Sequence, residues 1–327
     1  MTDTALPDGF HLRAPMADDL DELAALLIAD ERARYGEATR QAPAAREWIE
    51  SVWATPGFVV ERDARVAVAP TGEIAGYVTL WRPEETSGFL VASPRILPRY
   101  QAHGIDLALL RWAEPLARAL AATLPDGVAV SLNSWVDGPD EAADALLTRE
   151  GFHLARRFVR MEITLQAPPP APAWPAGVAP RPFVAGQDER AVYELMNAAF
   201  ADTPGHEPWP FDVWSRDILD SESSVPALWT LAAAGDQVVG AVINRVVAGD
   251  DGVVGWLEDV GVRPAWRNRG LGLAMVYHSF GAFYARAIER CGLTVDTQNV
   301  SGATRLYERA GMVAQAREQI RYEKALR

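Results

Sequence analysis

Two octets constrain this chain more than any other feature. Residues 101–108 read QAHGIDLA and residues 267–274 read RNRGLGLA, with glycine fourth and Leu-Ala last in both. The likeness extends outward. Pro98 and Pro264 stand 166 residues apart, as do Gly104 and Gly270, while Gly151 and Gly311 stand 160 apart. Copies that keep step through a loop and slip by six residues beyond it mark an internal duplication. A 327-residue chain built this way is expected to fold as two domains of one kind. Between the copies lies QAPPPAPAWPAGVAP (166–180), whose prolines fix φ and lack amide donors, which suits a semi-rigid spacer. The expected organisation is a first domain over 1–166, a linker over 167–180 and a second domain over 181–327.

Each copy follows one course. GFHLRAPMADDLDELAALL (9–27) and GVAPRPFVAGQDERAVYELMNAAF (177–200) both read as a short strand, an acidic helix start and a helix with apolar residues at helical spacing. Strand-like runs follow at 72–83 and 236–247. The glycine octets then open a helix, a strand follows each helix, and ALLTREGF (145–152) and RLYERAGM (305–312) precede a last β-like run. This order predicts an α/β (α+β) fold class, in each half a mixed, largely antiparallel sheet flanked by helices.

Composition narrows the function. A net charge of −13 with no basic stripe argues against nucleic acid as a partner. Apolar runs such as AVINRVVAG are too short to cross a bilayer, so no membrane partner is expected. The start MTDTALPDGFHLR lacks a basic segment followed by an apolar core. Together with a single cysteine, Cys291, this fits a reducing, cytoplasmic setting. Five scattered histidines give no zinc pattern, and no metal is expected. Cys291, between a helix end and an apolar strand, reads as a packed thiol rather than a nucleophile.

The stretch EDVGVRPAWRNRGLG (258–272) runs from a strand through a loop into a helix. A helix N-terminus offers unpaired amides and a positive dipole end, and Gly270 and Gly272 lack the Cβ atoms that would keep an anion away. Arg267 and Arg269 add positive charge to what reads as a phosphate cradle. A dinucleotide fold would need a third glycine where Met275 stands, and the chain has no Gly-Lys-Ser/Thr for a nucleotide-triphosphate loop.

These residues resemble a family. VRPAWRNRGLG (262–272) is similar to the signature V-x-P-x-x-R/Q-x-x-G-x-G/A of the GNAT superfamily of acetyl-CoA-dependent N-acyltransferases. NVSGATRLYERAGM (299–312) is similar to its second motif, an asparagine followed by A-x-x-L-Y-x-x-x-G-F/M. The tandem plan, with an active second half, resembles the mycothiol synthase-like branch. The resemblance implies acetyl-CoA as acyl donor, held at its pyrophosphate by Arg267, Asn268, Arg269, Gly270, Leu271 and Gly272. It implies further that Val260, Gly261 and Val262 pair with the pantetheine arm, that Asn299 contacts the coenzyme and that Tyr307 protonates the leaving thiolate.

The general base stays open among several groups. Many members of that family carry glutamate where this chain has Trp256; Glu258, two residues on, faces the same way under strict alternation, and Asp259 the other way unless a bulge intervenes. Asp296 on the next strand is a further candidate, and a water chain another. In the first copy Asp106 replaces Gly272 and Leu147 replaces Tyr307, so that half is expected to keep the fold and lack the catalysis. His206, Glu207, Trp209 and Trp214, in the stretch HEPWPFDVW, are the candidates for binding the acceptor, with core packing the competing role for the aromatic residues. The expected activity is transfer of acetyl to a small-molecule amine such as an amino sugar or polyamine, by a monomer or homodimer. A coenzyme A-binding sensor and a protein N-acetyltransferase are the alternatives.

Overall fold

The computed structural model describes residues 6–327 apart from 37, 39–40, 84, 139, 204–207, 220–222, 250–251 and 300–301. It forms two compact units, one comprising residues up to Arg157 together with Glu318–Arg327, the other Phe158–Arg317. None of the described helices is long and apolar enough to cross a membrane.

In the first unit β1 (His11–Arg13) leads into α1 (Leu20–Tyr35), α2 (Ala42–Trp53) and the single turn α3 (Val60–Asp63). Then come β2 (Ala64–Val68), β3 (Ile74–Thr79), β4 (Phe89–Val91), β5 (Arg95–Ile96), α4 (Ile105–Ala121), β6 (Ser131–Asp137), α5 (Glu141–Arg149) and the start of β7 (His153–Thr164). Strands β1, β2, β3 and β5 pair antiparallel in that order, and β4 pairs in parallel with β6.

The second unit repeats the sequence of elements. β8 (Ala179–Pro182), α6 (Glu189–Phe200) and α7 (Phe211–Leu219) precede β9 (Thr230–Ala234), β10 (Gln237–Gly249) and β11 (Gly252–Val262). α8 (Leu271–Tyr284), β12 (Arg290–Asp296), α9 (Ala303–Arg309) and β13 (Val313–Ala325) follow. Strands β8 to β11 pair antiparallel in chain order, and β11 pairs in parallel with β12. The mixed, largely antiparallel architecture expected from the sequence is present in both.

Local chemistry is duplicated as well. Asp19 accepts two hydrogen bonds from Arg13, at 2.6 and 2.8 Å, and one from the Met16 amide. Asp188 accepts the same set from Arg181, at 2.6 and 2.7 Å, and from the Val184 amide. Each clasp ties the strand that opens a unit to the start of its first long helix, and the arginine holds each carboxyl below its ordinary pKa. Behind the sheets, α4 and α8 lie close because Gly76 and Gly240 carry no side chain. A Cβ at Gly76 would meet Ile96, Ile105 and Leu109, and one at Gly240 would come within 2.7 Å of Met275 Sδ. The face of α8 that lies on the sheet buries Leu271, Met275, Phe280 and Phe283, each worth about 1.5–3 kcal/mol. That burial holds a helix whose interior contains Gly272 and Gly281, since propensity alone would not.

The packing boundary between the units differs from the one the prolines suggest. Residues Phe158–Thr164 of β7 pair antiparallel with β12 in the second unit, and Gln319–Ala325 of β13 pair antiparallel with β6 in the first. Ile320 and Tyr322 accordingly sit in the first unit's core, and Met161 in the second's. The proline-rich stretch belongs to the second unit rather than spanning a gap. Trp174 stands edge-on to His278 of α8, ring centroids 5.6 Å apart, and Pro169 lies beside Gly281.

Deleting residues 318–327 is therefore expected to strip the first unit of a paired strand and two core side chains. Hydrogen exchange in α4 and β6 should accelerate by orders of magnitude in the shortened protein; protection equal to that of the full chain would contradict the pairing's importance.

Candidate active site

The site begins where two neighbouring strands part. Among the described residues, β11 and β12 pair only from Val254–Trp256 to Arg290–Gly292, although they run on to Val262 and Asp296. Their outer edges stay paired throughout: β11 with β10 as far as Val262 opposite Gly240, and β12 with β7 as far as Asp296 opposite Phe158. The facing edges beyond Trp256 thus border a wedge. Peptide groups along such an edge need partners, and an extended ligand bearing amides can supply them.

A bulge sits at the point of parting. Ile243 of β10 stands opposite Asp259 and Asn244 opposite Leu257, which leaves Glu258 as an extra residue. The side-chain directions show its effect. A Cβ at Gly255 would strike Phe283 of α8, and one at Gly261 would strike Leu195 and Met196 of α6. Six residues apart, these two should share a face in a regular strand. They point to opposite faces, so the bulge reverses the alternation. Asp259, two residues from Gly261, is carried to the α6 side that Trp256 also occupies. The pattern L-E-D-V (257–260), two apolar positions separated by two acidic ones, is the break in period that could have disclosed this.

Beyond β11 a short turn leads to α8. Asn268 at φ 60° and Gly270 at φ 82° adopt left-handed conformations, the second of which glycine takes at no steric cost. Gly270 occupies the N-cap place and offers no side chain, and the first internal bond runs from the Ala274 amide to the Gly270 carbonyl. The amides of Leu271, Gly272 and Leu273 precede that bond and form an anion-attracting end. The two arginines of the loop take other partners. Arg267 donates to the Ala199 carbonyl and to Asp202, both at 2.8 Å, so it braces the loop against the end of α6. Arg269 lies over the Trp266 ring at 4.9 Å.

The first unit keeps this backbone and fills the space. Ala102 at φ 63° and Gly104 at φ 74° reproduce the left-handed pair. Asp106, however, turns its carboxylate onto the helix end and accepts a hydrogen bond from the Leu107 amide at 2.8 Å. The wedge is occupied too. Arg95 holds the position of Gly261, judged by the pairing of Ile96 with Gly76 and of Val262 with Gly240. Its guanidinium pairs with Asp137, at the end of β6, and lies 3.6 Å from Asp30 of α1. Burial pushes the Asp137 carboxyl up, but Arg95, Gln319 and Arg34 outweigh it and hold it below its ordinary value. At Asp30 burial prevails over Arg95 and Arg34 and the shift is upward.

In the second unit Tyr307 is buried on α9, where Leu147 stands in α5. Burial first, and the negative charge of Asp259 second, raise the Tyr307 phenol well above its ordinary value. The phenol thus stays protonated and lies within the field of Asp259. Glu258 lies 3.5 Å from Arg245 Nε. Asp296 is nearly buried at the end of β12, where its carboxylate accepts the Gln298 amide at 2.8 Å and its carbonyl the Asn299 amide at 3.1 Å. Burial pushes the Cys291 thiol up to about 12, which removes it as a nucleophile.

Of the acceptor candidates, His206 and Glu207 lie outside the described residues. Trp214 packs with Tyr193 and Phe211 where α6 meets α7, at centroid distances of 5.4 and 6.1 Å. Trp209 is half-buried, and its carbonyl accepts the Tyr193 hydroxyl at 2.7 Å. Val260, Gly261 and Val262 run directly into the loop to Gly272, and Tyr307 shares a core cluster with Leu271 and Met275 of α8. Asp259 is the group that alternation alone assigned to the opposite face.

Residues 190–312 match the model of the acetyltransferase (GNAT) family. The chain is 33% identical over 242 residues to a protein named mycothiol acetyltransferase from Thermobispora bispora, covering 73% of this chain and 76% of that one. A protein of the same name from Kineococcus radiotolerans is 32% identical over 243 residues, 73% of this chain and 75% of its own. Among solved structures, a GCN5-related N-acetyltransferase from Sphaerobacter thermophilus superposes with a TM-score of 0.79 at 32% identity, over 99% of this chain and 98% of that one. A tandem GNAT protein from the clavulanic acid biosynthesis pathway shares the fold at TM-score 0.71 and 16% identity, over 97% and 99% of the two chains.

Proposed function

The chain belongs to the GNAT family of acetyltransferases, acyltransferases whose acyl donor is acetyl-CoA, and from that premise we propose that it acetylates the primary amine of a small molecule by direct attack within a ternary complex. The observation that carries this reading is the wedge between β11 and β12, opening beside the bare N-terminus of α8.

In this reading the amides of Leu271 and Gly272, presented by the turn through Asn268, Arg269 and Gly270, take the donor's pyrophosphate. Arg267 contributes by bracing that turn. The pantetheine arm lies along Val260–Val262 and uses the edge peptide groups, with a backbone amide there receiving the oxyanion that forms as the amine attacks. Asn299, on the turn after β12, lies on the coenzyme side. Tyr307 gives its proton to the departing thiolate; its raised pKa keeps the proton in place until the sulfur carries charge. A carboxylate among Glu258, Asp259 and Asp296 takes the proton of the amine. The acceptor is met by the segment before α7, including Trp209, with Trp214 supporting it from within the α6–α7 contact. Relatives named mycothiol acetyltransferase make mycothiol-type amines the first acceptors to try, with amino sugars and polyamines beside them.

Release of free thiol from acetyl-CoA over such an amine panel tests the proposal. Saturable coenzyme binding with no turnover of any amine would instead identify a sensor. Tyr307→Phe is expected to lower kcat roughly 100-fold or more while the acetyl-CoA Kd moves by no more than about threefold; undiminished turnover would remove the phenol from the reaction. Gly272→Asp, which reproduces Asp106, is expected to weaken acetyl-CoA binding by at least about tenfold through repulsion of the pyrophosphate. Because a Cβ there approaches Leu306 Cδ2 at 3.1 Å, Gly272→Ala serves as the steric control and should cost much less. Equal losses in the two variants would assign the effect to packing.

A further inference from the structure

We propose that the first unit's counterpart of the coenzyme wedge is a closed seam that admits no acetyl-CoA and instead fastens β13, so that each chain holds a single coenzyme. This rests on the reading of the second unit's wedge as the acetyl-CoA site given above. Counted from the pairing of Ile96 with Gly76 and of Val262 with Gly240, Pro94 stands at the place of Val260 and Arg95 at that of Gly261. Val91 and Trp256 end the parallel pairing in their units; Arg95 follows Val91 by four residues, whereas Gly261 follows Trp256 by five. The first unit thus lacks the extra residue that forms the bulge at Glu258. Pro94 has no amide, so the edge also lacks the hydrogen-bond donor that an extended ligand would use there.

Past the paired strands, groups of β6 are met from within the unit, one after another. The Ala92 amide donates to the Asn133 carbonyl at 2.8 Å, and the Trp135 amide donates to Ser93 Oγ at 2.8 Å. Arg95 then reaches Asp137, the last residue of β6, and lies 3.6 Å from the buried Asp30. Arg34 donates to Asp30 at 3.1 Å and to Asp140 at 2.8 Å, which extends the network to the start of α5. A pantetheine arm entering here would have to draw the Arg95 guanidinium away from two carboxylates in a largely buried place, a loss that its neutral amides do not repay. At the helix end the Asp106 carboxylate, which takes the Leu107 amide, would repel the pyrophosphate.

The same residues grip the last strand of the chain. Asp137 is shared: one carboxylate oxygen takes Arg95, and the other accepts Gln319 Nε2 at 3.0 Å. The Gly138 amide and the Tyr35 hydroxyl both donate to the Glu318 carbonyl, at 2.6 and 2.9 Å, and Arg157 pairs with the Glu318 carboxylate. Glu318 and Gln319 begin the part of β13 that belongs to the first unit and runs along β6. Closing the slot and fixing that strand are therefore the work of one arrangement, with Asp137 at its centre.

Titration calorimetry of the full chain with acetyl-CoA is expected to give one site per chain, and in Gly272→Asp no site of the wild-type affinity. Two sites in the wild type would overturn the proposal and leave the proposed function standing. A single site that Gly272→Asp leaves at full strength, or no binding at all, would contradict the second unit's coenzyme site and take this proposal with it. The fastening role is read separately. Arg95→Met removes the guanidinium and keeps a long apolar side chain. Amide exchange over residues 319–325 and in β6 should accelerate by about tenfold or more. The acetyl-CoA Kd and kcat should stay within about twofold of wild type, since the change is confined to the first unit. Asp137→Asn, which keeps the shape and an acceptor for Gln319, should accelerate the same segments to a lesser degree and serves if Arg95→Met does not fold. Unchanged exchange in these segments would overturn the fastening role.

Discussion

The parting of two hydrogen-bonded strands governs this molecule. Strands β11 and β12 are each fastened along their outer edges, and only their facing edges separate. A sheet tolerates that separation only where something else meets the freed peptide groups. The wedge, the bulge beside it, the bare end of α8 and the phenol of α9 all gather at this one place. None of them would carry much meaning alone. A glycine turn before a helix is common, and a buried tyrosine more so.

The two units show what happens to such an opening when it is stopped. In the first unit the strand equivalent to β11 is broken into β4 and β5, and the gap is spanned by Arg95 held between Asp137 and Asp30. Buried ions of this kind are costly to create and costlier to break singly, since one deletion leaves an uncompensated charge inside. Asp106 performs the same service at the helix end. The first unit therefore fills with its own side chains the places that, on the proposed reading, the second leaves for a ligand. Its loss of Tyr307's counterpart is one of three separate changes, and the others are enough to fill the space.

Much of this was legible in the residues. The duplication followed from Gly104 and Gly270, and the turn that leaves the end of α8 bare from Gly270, because left-handed turns demand glycine at fixed offsets. That Asp106 sets a carboxylate at the equivalent helix end could be read for the same reason. What escaped reading was directional or long-range. One inserted residue at Glu258 reverses every later side chain, and only the doublet of acids between Leu257 and Val260 hints at it. The two arginines of the loop were read as anion partners, whereas one braces α6 and the other covers Trp266, since a charge in sequence carries no bearing. The proline-rich stretch read as a spacer, yet Pro169 and Trp174 lie on α8. The pairing of β13 with β6 joins residues about 180 positions apart, and no local pattern records it.

That pairing has a bearing on how the protein is made. Translation delivers domains from the N-terminus onward, and each usually folds as it emerges. Here the first unit must wait, with an edge of β6 open, until residues 318–325 leave the ribosome. Meanwhile Phe158–Thr164, synthesised early, have no partner until β12 appears. The unit that emerges first is thus finished late, and the nascent chain carries exposed strand edges, the kind of surface on which chaperones act, from the emergence of β6 until its partner in β13 follows about 180 residues later.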